Sequence, residues 1–189
     1  MATIRQETAR DVDAREALLD CVWGETRFLK TAERLREGRR PAEGLSFTAA
    51  ERRRVVGTVR LWHVSAGPSR PTLLLGPLAV DEAHRDRGIG AALVQRALAA
   101  AKRLGHSAVL LVGDEPYYGR FGFSAEKTGG LWLPGPYERH RLLGRELTPG
   151  ALDGARGLVG ATGAYAPQPS LDALVAGLAR SDSQPVHVA

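Results

Sequence analysis

Hydrophobic and polar positions along the chain alternate between two kinds of period. Residues 4–7 read as a short strand, and residues 11–28 carry Val12, Ala14, Leu18 and Val22 at helical spacing behind Asp11, a residue suited to cap a helix. A second helical piece, 30–37, runs into the breaker-rich stretch 38–44. Two strand-like runs, 45–51 and 55–64, flank Arg52, Arg53 and Arg54, which predicts an antiparallel hairpin. Gly67 and Pro68 break the chain before 72–80, a run so uniformly apolar that it should be a central strand covered on both faces. Residues 89–104 form the clearest helix, with Ile89, Leu93, Ala97 and Ala100 or Ala101 along one side and Gly105 placed to stop it. A short β run at 108–112, a proline-opened helix at 116–121 and late strands at 131–133 and 141–147 complete the pattern.

Strict alternation would mean a doubly wound parallel sheet. The run of consecutive strands in the middle implies an α/β (α+β mixed) fold instead, a mixed sheet with helices on its faces. One domain is expected over 1–150. The Gly- and Ala-rich remainder, 151–189, reads as an extension with one amphipathic helix at 171–180, carrying Leu171, Leu174, Val175 and Leu178, and a frayed tail at 181–189.

Composition narrows the classes. The chain has 189 residues, 43% hydrophobic and 25% charged, enough to bury a core without disulfides or metals. Cys21 is the single cysteine, which excludes an internal disulfide and a cysteine-built zinc site; its place in the first helix predicts burial. No apolar run approaches the roughly 18 to 20 residues of a membrane span, and the charged start has no signal-peptide core, so no membrane partner and a cytoplasmic location are expected. The net charge is +5, and every basic residue except Lys30, Lys102 and Lys127 is arginine. That surplus raises nucleic acid as a partner. The clusters Arg39-Arg40 and Arg52-Arg53-Arg54 lack interleaved aromatics to stack bases, so they read as solvated turns and nucleic acid is not the expected partner.

The chemistry concentrates in residues 75–98, LGPLAVDEAHRDRGIGAALVQRAL. A buried strand, a glycine-bearing loop and the best helix come directly one after another. Such a helix start presents unpaired N–H groups and a partial positive charge, and glycines let an anion reach that backbone. A P-loop is absent, and a dinucleotide fingerprint would need glycine where Leu93 stands.

Arg85, Gly88 and Gly90, spaced R-x-x-G-x-G after LGPLAV, resemble the acetyl-coenzyme A signature of the GCN5-related N-acetyltransferase (GNAT) superfamily. The segment 117–123, YYGRFGF, looks like the aromatic-Tyr-x-x-x-Gly-Phe element after that family's fifth strand. The resemblance covers residues 3–147. With PGP at 134–136 and PGAL at 149–152, it is closest in character to small bacterial N-acetyltransferases of unassigned substrate.

The resemblance implies a mostly antiparallel twisted sheet of six to seven strands with helices on both faces, splayed between the fourth and fifth strands. It implies acetyl-CoA as cosubstrate, no metal, and a primary-amine acceptor, small molecule or peptide, with a homodimer left open. Carried over by position, main-chain groups of Leu78, Ala79 and Val80 would pair with the pantetheine arm. The backbone of Arg85, Asp86, Arg87, Gly88, Ile89, Gly90 and Ala91 would hold the pyrophosphate, with the Arg85 and Arg87 side chains nearby. Tyr118 would be the general acid to the departing thiolate. No base is dictated: Asp114 and His63 are candidates, each with a bland alternative as helix cap or strand histidine. The asparagine that many members carry near the end of that strand is absent. Acceptor contacts could come from Trp23, Arg27, Phe28, Trp132, Tyr137, Glu138 and His140. The competing class is a non-catalytic acyl-CoA sensor with the same cradle.

Overall fold

The computed structural model describes residues 2–167; the expected helix at 171–180 and tail at 181–189 lie outside them. One eight-stranded sheet organises the molecule: β1 (Thr3–Gln6), β2 (Ser46–Glu51), β3 (Arg54–Ala66), β4 (Pro71–Val80), β5 (Ala108–Val112), β6 (Leu131–Trp132), β7 (Leu142–Glu146) and β8 (Gly157–Ala161). Its main order is β1-β2-β3-β4-β5-β7, antiparallel except for β4–β5, with β8 antiparallel on β3 and the short β6 parallel to β8. The mixed, mostly antiparallel architecture is the expected one, with one strand beyond the expected six to seven. β8 supplies it: GLVGA has little apolar alternation to announce a strand, and it pairs only because β3 outruns β2. β2 uses β3 from Arg54 to Arg60, and β8 then pairs with Val64, Ser65 and Ala66.

Among the described residues three α-helices flank the sheet: α1 (Val12–Trp23), α2 (Ile89–Arg103) and the short α3 (Glu115–Tyr118). α2 buries Ile89, Leu93, Val94, Ala97, Leu98, Ala100 and Ala101 against one face, among Phe47, Val59, Leu61, Leu75 and Leu111. Each large side chain contributes roughly 1.5–3 kcal/mol on burial. That outweighs the roughly 0.3–1 kcal/mol of a charge at a helix end, so packing, not any ligand, sets where the α2 N-terminus lies. On the opposite face α1 places Leu18 and Leu19 over Val55 and Ala79, beside a second cluster around Trp62, Leu74, Leu110 and Leu142.

α1 and the segment after it depart from expectation in three ways. α1 ends at Trp23, not Phe28, because Gly24 turns the chain at φ 62°. Two 3-10 turns, Glu25–Leu29 and Thr31–Leu35, then replace the single helix expected over 30–37. Its buried face is Arg15, Leu18 and Leu19, which leaves Cys21 exposed where burial was expected. Arg15 can sit inside because Glu7 lies at 3.5 Å and Glu16 at 2.6 Å, while Arg60 holds the other side of Glu7. Asp11 occupies the cap position, yet its carboxylate turns away from the helix. It accepts from Nη1 and Nη2 of Arg5 at 2.6 Å and from the Thr8 N–H and hydroxyl at 2.8 Å.

β4 parts from β5. Their parallel ladder runs only through Leu73↔Val109 and Leu74↔Leu110. Immediately beyond, Gly76 and Pro77 of β4 stand opposite Arg60 alone, a bulge. Pro77 has no N–H to donate, and the Gly76 carbonyl is taken by the Trp62 indole at 2.6 Å. β5 meanwhile stays on β7 through Val112↔Leu142. The splay expected between the fourth and fifth strands is therefore present, and the β5-facing edge of residues 78–80 is open.

Stability can be tuned at two places in this framework. The β2–β3 turn puts Arg52 and Arg53 at φ 48° and 69°, a left-handed pair for which side chains with a Cβ are poorly suited. Arg53→Gly is expected to raise stability by about 0.5–1 kcal/mol, read as a higher urea midpoint at unchanged m-value. The Asp11 carboxyl is held well below the ordinary value of 3.8 by the Arg5 hydrogen bonds, with Thr8 adding to them and burial opposing. A depressed folded pKa means stabilisation present above that ordinary value and lost as pH falls below it. Asp11→Asn is expected to cost about 1–3 kcal/mol near pH 7 and measurably less near pH 3, by urea unfolding at the two pH values.

Candidate active site

Two cavities flank the open edge of β4. The first, about 410 Å3, is lined by Val80, by His84, Arg85, Asp86 and Gly88 of the following loop, by the start of α2, and by Tyr117 and Arg120. The second, about 320 Å3, occupies the wedge between β4 and β5, with Leu75 to Leu78 on one side and Val112, Gly113, Asp114 and Tyr118 on the other.

The first cavity is built around an uncapped helix. Gly88 precedes α2 at φ 74° and no side chain caps the helix, so the first-turn N–H groups of Ile89, Gly90 and Ala91 lack intrahelical partners. Gly88 has open space around its α-carbon. At Gly90 a Cβ would come within 2.8 Å of the Tyr117 hydroxyl, so this glycine lets the tyrosine lie against the helix start. Arg85 and Asp86 line the cavity; Arg87 does not. Its guanidinium pairs with Glu51 at 2.9 Å, beside a neighbouring cavity of about 600 Å3. His84 lies between Asp81 at 2.9 Å and Glu51 at 3.1 Å. Arg120, 4.1 Å above the Tyr117 ring, is the cation that motif spacing alone did not single out, although it stands inside YYGRFGF.

The second cavity depends on α3. Both Tyr117 and Tyr118 donate their N–H to the Asp114 carbonyl at 3.0 Å, a turn begun by Pro116. Consecutive helical residues diverge by about 100°. Tyr117 therefore lines the first cavity and Tyr118 the second. The Tyr118 ring packs edge-on to Tyr117 at 4.9 Å and to Phe123 at 6.0 Å. It fits only because residue 113 is glycine, where a Cβ would fall 2.3 Å from the ring. Burial pushes the Tyr118 phenol up to about 12, with Tyr117 and Asp114 adding to it and Arg141 opposing.

Residues 12–123 match the model of the acetyltransferase (GNAT) family. The chain belongs to this family. Over 157 residues it is 32% identical to the "uncharacterized N-acetyltransferase YhbS" of Escherichia coli strain K12, covering 82% of this chain and 93% of the relative. The solved structure of E. coli YhbS in complex with CoA superposes with a TM-score of 0.73 at 30% identity, over 85% of this chain and 89% of the other. A GNAT family acetyltransferase of Brucella melitensis in complex with acetyl-CoA gives 0.60 at 26% identity, over 86% and 96%.

In this GNAT member Asp114 lines the wedge cavity, and its side chain is not a helix cap: it faces Arg141 Nε at 3.3 Å. His63 lies elsewhere, its ring 5.5 Å from that of His106. Of the acceptor candidates, Trp23, Arg27, Tyr137 and Glu138 line the wedge, whereas Phe28, Trp132 and His140 do not. Lys30, Arg36 and Arg141 also line it; the sequence did not single them out, because a 3-10 turn bounded by Lys30 and Arg36 replaces the helix expected over 30–37, and Arg141 comes from a 3-10 turn just before β7. Gly113→Ala is expected to displace the Tyr118 ring, cost about 1–3 kcal/mol in urea unfolding and lower any activity that uses this phenol.

Proposed function

We propose that this acetyltransferase moves an acetyl group from acetyl-CoA directly to a primary amine held in the wedge between β4 and β5. The observation that carries the reading is the division of labour in α3: two consecutive tyrosines line the two cavities on either side of the open strand edge. The CoA and acetyl-CoA bound by the E. coli and B. melitensis proteins support the choice of cosubstrate. When bound, the thioester supplies an acetyl carbon open to attack and a sulfur able to leave.

The chain's own groups do the rest. Leu78, Ala79 and Val80 offer an unpaired strand edge to the amides of the pantetheine arm. The backbone of Arg85, Asp86, Arg87, Gly88, Ile89, Gly90 and Ala91 holds the pyrophosphate at the α2 N-terminus, with Arg85 and Arg120 as flanking charges. Tyr118 donates its proton to the leaving sulfur. A phenol whose pKa is about 12 stays protonated across the working range, which suits a donor and not a base. Asp114, on the wall of the wedge, orients the amine and passes its proton to solvent.

Tyr118→Phe is expected to lower kcat for CoA release about 100-fold while leaving the acetyl-CoA Kd within about twofold. In the unsubstituted enzyme the rate should rise with pH as the acceptor amine loses its proton, with no fall from Tyr118 until its phenol titrates at about 12. An unchanged kcat in Tyr118→Phe, measured by thiol release, refutes the assignment.

A further inference from the structure

The charges of the wedge cavity are almost all spoken for. Arg27 pairs with Glu16 at 2.5 Å and Asp20 at 2.9 Å, outside the cavity lining. Arg36, only 8% exposed, pairs with Glu33 at 2.7 Å. Arg141 lies 3.3 Å from Asp114 and 3.8 Å from Glu138. Among the described residues Lys30 is the one lining cation with no carboxylate partner. Its ammonium rests 3.7 Å over the Trp23 ring, where burial and the charges of Arg141 and Arg36 all work against its protonated form. An anion placed there would relieve that penalty. The segment is also held in place: the Thr31 hydroxyl donates to the Pro136 carbonyl and Arg34 to the Pro134 carbonyl at 3.0 Å, tying the turn after Lys30 to the loop at 134–136, whose Pro136 also lines the cavity.

Resting on the amine-acceptor reading above, we propose that the acceptor is an amine that also carries a carboxylate, with Lys30 as the residue that selects the carboxylate. One uncompensated positive charge matches a monoanion better than a phosphate dianion, which would call for a second free cation. The acidic groups Asp114 and Glu138 share one guanidinium, that of Arg141, with the exposed His140 imidazole 3.5 Å from Glu138, and so leave negative charge for the acceptor's ammonium. The lining between these poles is apolar, from Leu75, Pro77, Leu78 and Leu133, and accommodates the carbon skeleton. Lys30 is a specificity residue: it touches the acceptor away from the reacting nitrogen.

The test compares amino acids with their carboxamides, in the pairs glycine and glycinamide, β-alanine and β-alaninamide, phenylalanine and phenylalaninamide, by thiol release from acetyl-CoA. The amides are the less basic amines, which biases the comparison against the proposal. In at least one pair the acid should have a kcat/KM about tenfold or more above its amide. Lys30→Met should bring that ratio to within about twofold with KM for acetyl-CoA unchanged, and Lys30→Arg should keep most of it. Amides turned over as well as acids, or a ratio that survives Lys30→Met, overturns the proposal. If acetyl-CoA binds but no amine is acetylated, the transfer reading fails. Calorimetry on the CoA-loaded protein then decides the recognition alone. N-acetylphenylalanine binding about tenfold more tightly than N-acetylphenylalaninamide, a difference lost in Lys30→Met, upholds it; equal or undetectable binding overturns it.

Discussion

The parting of β4 from β5 is the constraint on which the site depends. A sheet interior ordinarily uses every backbone group in its ladders. Here Pro77 has no N–H, the Gly76 carbonyl belongs to Trp62, and a bulge stands opposite Arg60, while β5 stays paired with β7 to its last residue. The wedge that results is the cavity proposed here for the acceptor. The strand edge it exposes is the one the cosubstrate would pair with, so a single irregularity creates both halves of the site.

The second determinant is how two helices are aimed at that wedge. α2 is driven onto the sheet by its apolar stripe, and Gly57 permits the close approach: a Cβ there would lie 3.0 Å from both Ile89 and Leu93. The N-terminus of α2 is thus delivered beside Val80 whether or not an anion is present. α3 is only four residues long and has little stability of its own. Its tyrosines are positioned by the glycines at 90 and 113 and by the rings of Phe121 and Phe123.

The arginine surplus finds a structural explanation. Arg15, Arg27 and Arg60 knit Glu7, Glu16 and Asp20 into a network between α1 and the sheet. Others satisfy backbone carbonyls across the fold, Arg39 at Gly163, Arg139 at Gly129 and Arg145 at Phe121. A planar fork that reaches two acceptors suits this task better than an ammonium does. The charge therefore says little about a polyanionic partner.

Local pattern alone determined the central strands, α2, the glycine-bearing helix start and the Gly-Phe element after β5, because each rests on periodicity or on residues required within one turn. The resemblance of two of them to the motifs of a known family implied the family and its cofactor class. Tertiary structure alone decided the rest. Nothing in the local pattern marks Arg15 for burial, which depends on Glu7 after β1 and Glu16 of α1 converging on it. GLVGA becomes a strand only where β3 outruns β2. Tyr117 and Tyr118 differ in sequence only by their place in the motif, and the fold sends them to different cavities, with the glycines at 90 and 113 making room for them; that Lys30 lacks a carboxylate partner shows only once the other cations around it are seen to be paired. These are long-range contacts between segments with no period of their own, so their chemistry exists only after the sheet has brought them together.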